Sequence, residues 1–392
     1  MKKEFELLIA LVREQMTGQP AVFPDEYDLE QLFRQAKTHK LEPFIYSALC
    51  QRPEIPKDAL SALENACNQA ICRDPQFDYY RARITQELTK RQVRHVYMRG
   101  ICLKHDYPEP ALRTMSDMDI LVEAKDFPVI RLVMLAMEAR PLQSDGNHRS
   151  YMLPGGLNVE FHPNLLHCSS PVGTGVNPGW QYVPQGQGQG EAFMTEEGFY
   201  LNVMTHLANH FASGGVGVRF VLDIWVCRHL RKAKPDRSFV EQELARIGLL
   251  AFARNIERLA EVWFSQMPSE PLLEELGEYI LTSGSHGNID RAVLNAASIS
   301  GSGSTALWRK AFYPKEDLLN RYDWVRGRRW LLPVAWLVRA FRAVTRRWRL
   351  IFTWGKKSKA HSRDQITRQQ QLLARFGLNH THTGRKCRKT VR

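Results

Sequence analysis

The sequence predicts an α+β fold in which a small unit of strands and helices lies between two helical regions. Three observations support this prediction. Apolar residues recur at helical spacing through residues 1–92, short apolar runs bounded by turn residues fill residues 93–168, and helical spacing returns after residue 195. Strands that are separated by a helix within so short a segment are typical of a small α+β unit.

A helical N-terminal domain is predicted over residues 1–92. Leu32, Phe33 and Ala36 share one face of a helix, and Leu60 and Leu63 begin a second pattern of the same kind. Prolines between these patterns interrupt the helical spacing because proline lacks an amide hydrogen. We therefore expect several helices rather than one.

The α+β unit is predicted over residues 93–168. One strand ends near Gly100, a second spans Met118 to Val122, and a third spans Leu157 to Phe161. Residues 127–139 lie between the second and third strands and place their apolar side chains on one helical face. Three further segments are predicted from composition: a Gly/Pro/Gln-rich loop over 169–194, a helical C-terminal domain over 195–354, and a basic disordered tail over 355–392.

Positive charge is concentrated near the end of the chain. The net charge is +13, but residues 321–392 hold 20 Lys and Arg against two acids, which leaves the rest of the chain at −5. A nucleic-acid-binding role for the whole protein is therefore disfavoured. Residues 330–354 alternate arginines with aromatic and aliphatic residues, which fits an interfacial membrane helix, a nucleic-acid surface or an ordinary packed helix. Residues 330–392 are the candidate contact with an anionic membrane or with RNA.

Cysteine usage and hydropathy indicate the compartment. The seven cysteines are odd in number and form no CxxC pair, so we expect reduced thiols in a cytoplasmic protein. Residues 1–13 follow an amphipathic helical pattern rather than that of a signal peptide. The longest strongly apolar run, residues 330–338, is far shorter than the roughly 20 residues of a spanning helix. We expect no transmembrane segment, and peripheral membrane contact only through the basic tail.

Acidic residues on two predicted strands form the most informative pattern. Asp117 and Asp119 project to one face of their strand because successive side chains alternate. Glu160 occupies the matching face of the third strand and completes a three-carboxylate cluster if the two strands are neighbours. Such a cluster suits Mg²⁺, which prefers oxygen ligands. The competing interpretation is a solvated turn, but Gly100 at a strand end and the nearby Arg99 favour a phosphate-binding site.

These residues carry a resemblance to a known family. The segments are MRG (98–100), YPEPALRTMSDMDILV (107–122), GGLNVEFH (155–162), HLANH (206–210), VRFVLDIW (218–225) and RRWLLPVAWLVR (328–339). Together they resemble the nucleotidyltransferase superfamily with a polymerase-β-like palm, and more narrowly its bacterial uncharacterised nucleotidyltransferase family. The resemblance extends to about residue 349. It implies that residues 93–168 are a small palm, a mixed sheet with helices, flanked by helical domains.

The resemblance also implies roles for individual residues. Asp117, Asp119 and Glu160 would be the catalytic carboxylates and the ligands of Mg²⁺ or Mn²⁺, with Ser116 as the serine that often precedes the first aspartate. The superfamily's Gly-Ser pair appears here as Gly100 followed by Ile101, so the hydroxyl that would hold the triphosphate is missing. Phosphate binding is then expected from backbone amides near Gly100 and from Arg99 or Arg113.

Other side chains have two interpretations each. His206 and His210 are spaced to share a helix face and could bind a metal, although a structural role or a contact with the catalytic domain is favoured. Arg219 and Asp223 have the same spacing, which favours a helix ion pair, while the resemblance makes each a candidate substrate contact. His162 shares a strand face with Glu160 and is a candidate for substrate binding or for supporting the metal ligands.

The predicted function is metal-dependent transfer of a nucleoside monophosphate from a nucleoside triphosphate to a hydroxyl acceptor. The acceptor could be an RNA end, a protein or a small molecule. The alternative is a catalytically silent nucleotide-binding or interaction protein that binds anionic membrane or RNA through its basic tail. Three clustered carboxylates favour the enzyme, because a binding module has no need for mutually repelling charges.

Overall fold

The computed structural model describes residues 2–142, 148–166, 172, 179–285, 287, 289–300, 325, 328–339, 341 and 361–378. The chain begins with four helices: α1 (Lys2–Thr17), α2 (Leu29–His39), α3 (Glu42–Leu49) and α4 (Ser61–Lys90). The Asp28 side chain caps α2 by accepting a hydrogen bond from the Gln31 amide. The N-terminal segment is therefore helical, as its apolar spacing predicts.

A mixed sheet follows, with two helices between its strands. The described elements are β1 (His95–Met98), α5 (Gly100–Leu103), β2 (Asp117–Val122), α6 (Phe127–Ala136), β3 (Arg140–Pro141), β4 (Arg149–Leu153) and β5 (Leu157–His162). Within the described residues the five strands take the order β1-β2-β5-β4-β3. Only the β2–β5 pair among them is parallel, and β2 and β5 lie side by side at the centre. The predicted α+β fold is confirmed.

One face of the sheet is covered by α4 and α6. Met118, Ile120 and Val159 are fully buried on this face and pack in one apolar cluster with Phe77 of α4 and Ile130 of α6. Because side chains alternate along a strand, this packing directs Asp117, Asp119 and Glu160 to the opposite face. Burial of the apolar side chains of each strand thus determines the direction of its polar side chains.

The edge of the sheet contains two strands that the sequence did not predict. β3 has two exposed residues, and β4 reads Arg-Ser-Tyr-Met-Leu, which lacks an alternating apolar pattern. Pairing with β5 stabilises β4, with Ser150 opposite Glu160. These strands depend on tertiary pairing rather than on local sequence preference.

The helical C-terminal part shares its core with the N-terminal helices. Its helices include α7 (Glu196–Ser213), α8 (Val218–His229), α9 (Arg237–Arg246), α10 (Leu250–Phe264), α11 (Pro271–Leu281), α12 (Ile289–Ser300) and α13 (Arg363–Arg375). Leu7 and Leu11 of α1 belong to the same apolar cluster as Leu207 of α7 and Ile256 of α10. The two regions predicted as separate helical domains thus bury their apolar faces together.

The prediction of a disordered tail over residues 355–392 is wrong for residues 361–378. The Ser362 side chain caps α13 and forms a reciprocal capping box with Gln365. Leu373 and Phe376 are fully buried in the core that contains α7 and α10. Polar and charged residues predominate in this segment, but its few apolar residues lie on one helical face and dock. The rest of the tail is outside the described residues.

Gly377 allows the chain to turn closely against α10 after α13. Its φ is +93°, and an added Cβ would lie 2.3 Å from the Phe252 amide nitrogen. We expect Gly377→Ala to lower the free energy of unfolding by about 3 kcal/mol, through the left-handed backbone and the backbone clash together. Gly18→Ala is the matched control, because Gly18 has a φ of +74° with no atom within 4 Å. Urea unfolding of both variants checks the prediction, and equal losses would contradict it.

The segment proposed to contact membrane or RNA is described only in part. Residues 340, 342–360 and 379–392 lie outside the described residues, whereas Trp330, Leu337 and Phe341 are largely exposed. In the part of the chain that the structure covers, no helix is both long and apolar enough to cross a bilayer.

Candidate active site

The strand register brings the three predicted carboxylates together. In the parallel β2–β5 pair, Asp119 lies opposite Glu160 and Asp117 lies opposite Asn158. Asp117, Asp119 and Glu160 each place a carboxylate oxygen within 4.8 Å of the other two. Glu160 is distant from the two aspartates in sequence, but the pairing of β2 with β5 brings the three side chains together.

All of the sequence-predicted site residues line one cavity of about 360 Å³. Strands β2 and β5 supply the carboxylates and His162, the turn after β1 supplies Arg99 and Gly100, and α7 and α8 supply the opposite wall. The residues on this cavity are Arg99, Gly100, Arg113, Ser116, Asp117, Asp119, Glu160, His162, His206, His210, Arg219 and Asp223. The cavity therefore lies between the sheet and the C-terminal helices.

The carboxylates have different electrostatic environments. Burial, followed by repulsion from Asp119 and Glu160, raises the pKa of Asp117 to about 6. Burial also raises the pKa of Asp119, but the Arg99 charge and the hydrogen bond from His162 outweigh it, so this pKa lies well below its usual value. When like charges share a site, their pKa values commonly move apart in this way. Of the three carboxylates, Asp117 therefore takes up a proton first as the pH falls.

Arg99 supplies the positive charge that balances Asp119. Its Nη1 donates to Asp119 Oδ2 at 2.9 Å and its Nη2 to the Leu165 carbonyl at 3.2 Å. The Arg99 backbone has φ +57° and ψ −123°, a combination that residues with a Cβ rarely adopt. Strain of this kind is typical of functional sites. The predicted phosphate contact is therefore engaged with a carboxylate in the described structure.

Removal of the Arg99 charge should make the protein more dependent on divalent cations. We expect Arg99→Gln to lower the free energy of unfolding in EDTA by about 2 kcal/mol, because a buried charged hydrogen bond is lost. Mg²⁺ should then stabilise the variant more than the wild type, since the cation replaces the missing counter-charge. Thermal unfolding with and without Mg²⁺ measures both effects, with Arg91→Gln on the exposed end of α4 as control. A smaller Mg²⁺ effect in Arg99→Gln than in wild type would contradict the assignment.

Arg113 and Asp223 form a buried ion pair with each other. Arg113 donates from Nε and Nη2 to the two Asp223 oxygens at 2.8 and 2.7 Å, and the Tyr107 hydroxyl donates to Oδ1 at 2.7 Å. The interpretation of Arg219 and Asp223 as a helix ion pair is wrong, because the bidentate Arg113 fork occupies Asp223. The Arg113 side chain is likewise committed to the fold rather than open to phosphate.

Arg219 instead donates to the Thr114 carbonyl and to the Thr114 hydroxyl, the latter at 3.2 Å. Ser116 Oγ donates to Asp117 Oδ1 at 3.1 Å and so supports the first carboxylate. Gly100 begins α5, and a Cβ there would lie 2.9 Å from Arg113 Nη1 and from Met115 Sδ. A glycine therefore lets the start of α5 approach the Arg113 and Met115 side chains.

Histidines surround the carboxylates. His162 Nε2 lies 2.8 Å from Asp119 Oδ1 and 3.4 Å from Glu160 Oε2. His148 Nε2 lies 3.6 Å from Glu160 Oε2, and His148 forms a second metal-capable group with Glu160 and His162. Sequence patterns do not single out His148, because nothing local predicts the strand β4 that follows it. Glu160 thus belongs to both metal-capable groups.

His206 and His210 pack against each other and against Phe220, with ring centroids 4.4 Å apart between the two histidines. Burial, together with the nearby Arg99, holds the pKa of His206 well below its usual value. Neither histidine belongs to a metal-capable group of three among the described residues. Their position on the cavity wall leaves them as candidate substrate contacts.

The donor set fits a hard divalent cation. Three carboxylates converge, and Arg99 and the neighbouring histidines offset part of their charge. Oxygen donors suit Mg²⁺, and the adjacent histidine nitrogens make Mn²⁺ equally acceptable.

The site and the fold agree with a comparison to protein families. The model of a family described as uncharacterised nucleotidyltransferase matches residues 25–265, which is more than half of the 392-residue chain. This match includes the N-terminal helices α2–α4, the whole sheet, and the C-terminal helices α7–α10. No curated protein and no solved structure matches the chain. With its carboxylates on neighbouring central strands inside the matched region, the chain belongs to the uncharacterised nucleotidyltransferase family.

Proposed function

We propose that this nucleotidyltransferase moves a nucleoside monophosphate from a nucleoside triphosphate such as ATP to a hydroxyl acceptor by a two-metal mechanism. The observation that carries the proposal is the convergence of Asp117, Asp119 and Glu160 within one cavity of the family-matched region. The acceptor is an RNA end, a protein hydroxyl or a small molecule. The reduced cysteines expected from the sequence favour a cytoplasmic location.

Asp117, Asp119 and Glu160 would hold Mg²⁺ or Mn²⁺. When bound, the cations would neutralise charge on the phosphates, lower the pKa of the acceptor hydroxyl and stabilise the pyrophosphate leaving group. A bond forms between the acceptor oxygen and the α-phosphorus, and the bond from that phosphorus to pyrophosphate breaks. Most of the catalytic effect comes from positioning and charge neutralisation.

The protein's own side chains orient this reaction. Arg99 and His162 fix the Asp119 carboxylate from both of its oxygens, at 2.9 and 2.8 Å. Glu160 Oε1 accepts a hydrogen bond from Asn158, which leaves Oε2, near His148 and His162, as the proposed acceptor of the hydroxyl proton. Ser116 orients Asp117. These contacts hold the carboxylates in place before substrate arrives.

The alternative is a catalytically silent protein that binds nucleotide, anionic membrane or RNA. Ile101 at the position of the superfamily's serine is the observation that favours it, together with the exposed Trp330 and Phe341. The three carboxylates oppose it, because they repel one another without a bound cation.

Label transfer from each α-labelled nucleoside triphosphate into a fractionated cell lysate tests the proposal. The wild type, with Mg²⁺ or Mn²⁺, should label one fraction, and the chemistry of that fraction identifies the acceptor class. The Asp117→Ala/Asp119→Ala double variant should not transfer label. A double variant at two exposed aspartates, Asp25→Ala/Asp58→Ala, is the control and should label normally. No transfer by folded wild type, with salt-sensitive binding to anionic vesicles or RNA, would support the alternative.

A further inference from the structure

A buried arginine without an acidic partner lies beside the carboxylates. Arg219 on α8 is only 8 % exposed and lines the cavity. Within the described part of the chain, no carboxylate forms an ion pair with it, and Asp223, four residues further along α8, is hydrogen-bonded by Arg113 and Tyr107. A buried charge costs several kcal/mol unless an opposite charge compensates it. The position therefore suits an anion that arrives with the substrate.

Two cationic side chains from the N-terminal helices, Lys40 and Arg73, add positive charge to this region. Lys40 ends α2 with its backbone in the left-handed conformation, and its carbonyl accepts a hydrogen bond from the Thr114 hydroxyl that Arg219 also contacts. Thr114 thus links Lys40 to Arg219, and burial, followed by repulsion from Arg219, lowers the pKa of Lys40. Arg73 of α4 lines the same cavity as Lys40, and its Nε is buried with no hydrogen-bond partner among the described residues.

Lys40 and Arg73 line a second cavity of about 290 Å³, whereas Arg219 lines the first; the two cavities adjoin, since Arg113 and Met115 line both. Its acids are Glu42 and Asp74, and Asp74 is engaged by Lys104 at 2.7 Å. Asp117 interacts electrostatically with both Lys40 and Arg219. Arg219 and Lys40 therefore lie within electrostatic reach of the first carboxylate.

We propose that Arg219, Lys40 and Arg73 form a polyphosphate subsite that binds the β- and γ-phosphates of the nucleotide and the pyrophosphate product. This inference rests on the proposed function and specifies how that site holds its substrate. The subsite supplies positive charge for phosphate in a chain that lacks the superfamily's serine hydroxyl. It also gives the N-terminal helices a direct role, because Lys40 and Arg73 come from α2 and α4.

Binding of inorganic pyrophosphate, measured by calorimetry with Mg²⁺ and no nucleotide, tests the subsite. The wild type should bind pyrophosphate more tightly than orthophosphate. Arg219→Gln and Lys40→Gln should each weaken pyrophosphate binding by about 10-fold or more, the loss expected for a charge-assisted hydrogen bond. Arg34→Gln, at an exposed arginine on α2, is the matched control and should bind like the wild type.

Thermal unfolding separates substrate binding from a structural role. Without pyrophosphate, Arg219→Gln should unfold at the wild-type temperature or above it, because an uncompensated buried charge is removed. A lower unfolding temperature, or pyrophosphate affinity that is unchanged in both variants, would overturn the inference. Wild-type protein that binds pyrophosphate through these residues but transfers no label would contradict the proposed function and leave the subsite standing. Active wild type whose variants bind pyrophosphate normally would contradict the subsite alone.

Discussion

Asp119→Asn should abolish nucleotidyl transfer while the protein stays folded. Asp119 is the carboxylate that Arg99 and His162 fix from opposite sides, and it lies opposite Glu160 in the sheet. Asparagine has the same shape and keeps an oxygen for Arg99, but it removes the negative charge that would hold a cation. We expect the transfer rate to fall by about 1,000-fold or more, as when a preorganised charge is removed from an active site.

Single-turnover label transfer at saturating nucleotide measures this effect, with circular dichroism to confirm the fold. Asp58→Asn changes the same kind of side chain at an exposed position before α4 and should retain the wild-type rate. If Asp119→Asn transferred label as fast as the wild type, the metal-site assignment would be wrong.

Asp223→Ala should cause the largest loss of stability among the site variants. Asp223 is 5 % exposed and compensates the buried Arg113, with Arg219 close by. Removing the carboxylate leaves two buried cations and an unpaired Tyr107 hydroxyl. We expect the free energy of unfolding to fall by about 3–5 kcal/mol, the usual cost of breaking a buried ion pair from one side.

The double variant Arg113→Met/Asp223→Leu is the variant to compare with Asp223→Ala. It replaces both charges by apolar side chains of similar size and should recover much of the stability that Asp223→Ala loses, because no buried charge is left uncompensated at this pair. Urea unfolding of both variants gives the comparison. A loss below about 1 kcal/mol in Asp223→Ala, the range of exposed ion pairs, would contradict the assigned role.

The strands that carry the carboxylates could be predicted because the alternating pattern that identifies them lies within a few consecutive residues. Alternation along β2 places Asp117 and Asp119 on one face, and the same rule places Glu160 on the matching face of β5. The buried Met118 and Ile120 then determine that face in the folded protein. For these residues, strand periodicity and one correct assumption of strand pairing were sufficient.

The partners of the arginines could not be predicted in the same way. Helical spacing pairs Arg219 with Asp223, but Arg113 is 110 residues away from Asp223 in sequence and reaches it with a bidentate fork. Whether Arg113 or Arg219 pairs with Asp223 depends on how α8 packs against the segment before β2. Lys40 was missed for the same reason, because only tertiary packing brings the end of α2 to the carboxylates.

The helix α13 shows a different limit, that of predicting disorder from composition. Its arginines and glutamines gave the composition of a disordered tail, whereas the Ser362 cap and the buried Leu373 and Phe376 define a docked helix. Composition averages over residues and so hides a short apolar stripe. A cap residue followed by helical spacing was the signal that could have revealed this helix.

Transfer of label from the two ends of the triphosphate tests the central claim most directly. Each nucleoside triphosphate is supplied once with the α-phosphate labelled and once with the γ-phosphate labelled, with Mg²⁺ and the acceptor-containing lysate fraction. Nucleotidyl transfer predicts that the α-label enters the acceptor and that the γ-label is released as pyrophosphate. Entry of the γ-label into the acceptor, or no entry of the α-label with any nucleotide, would contradict the claim that Asp117, Asp119 and Glu160 catalyse nucleotidyl transfer.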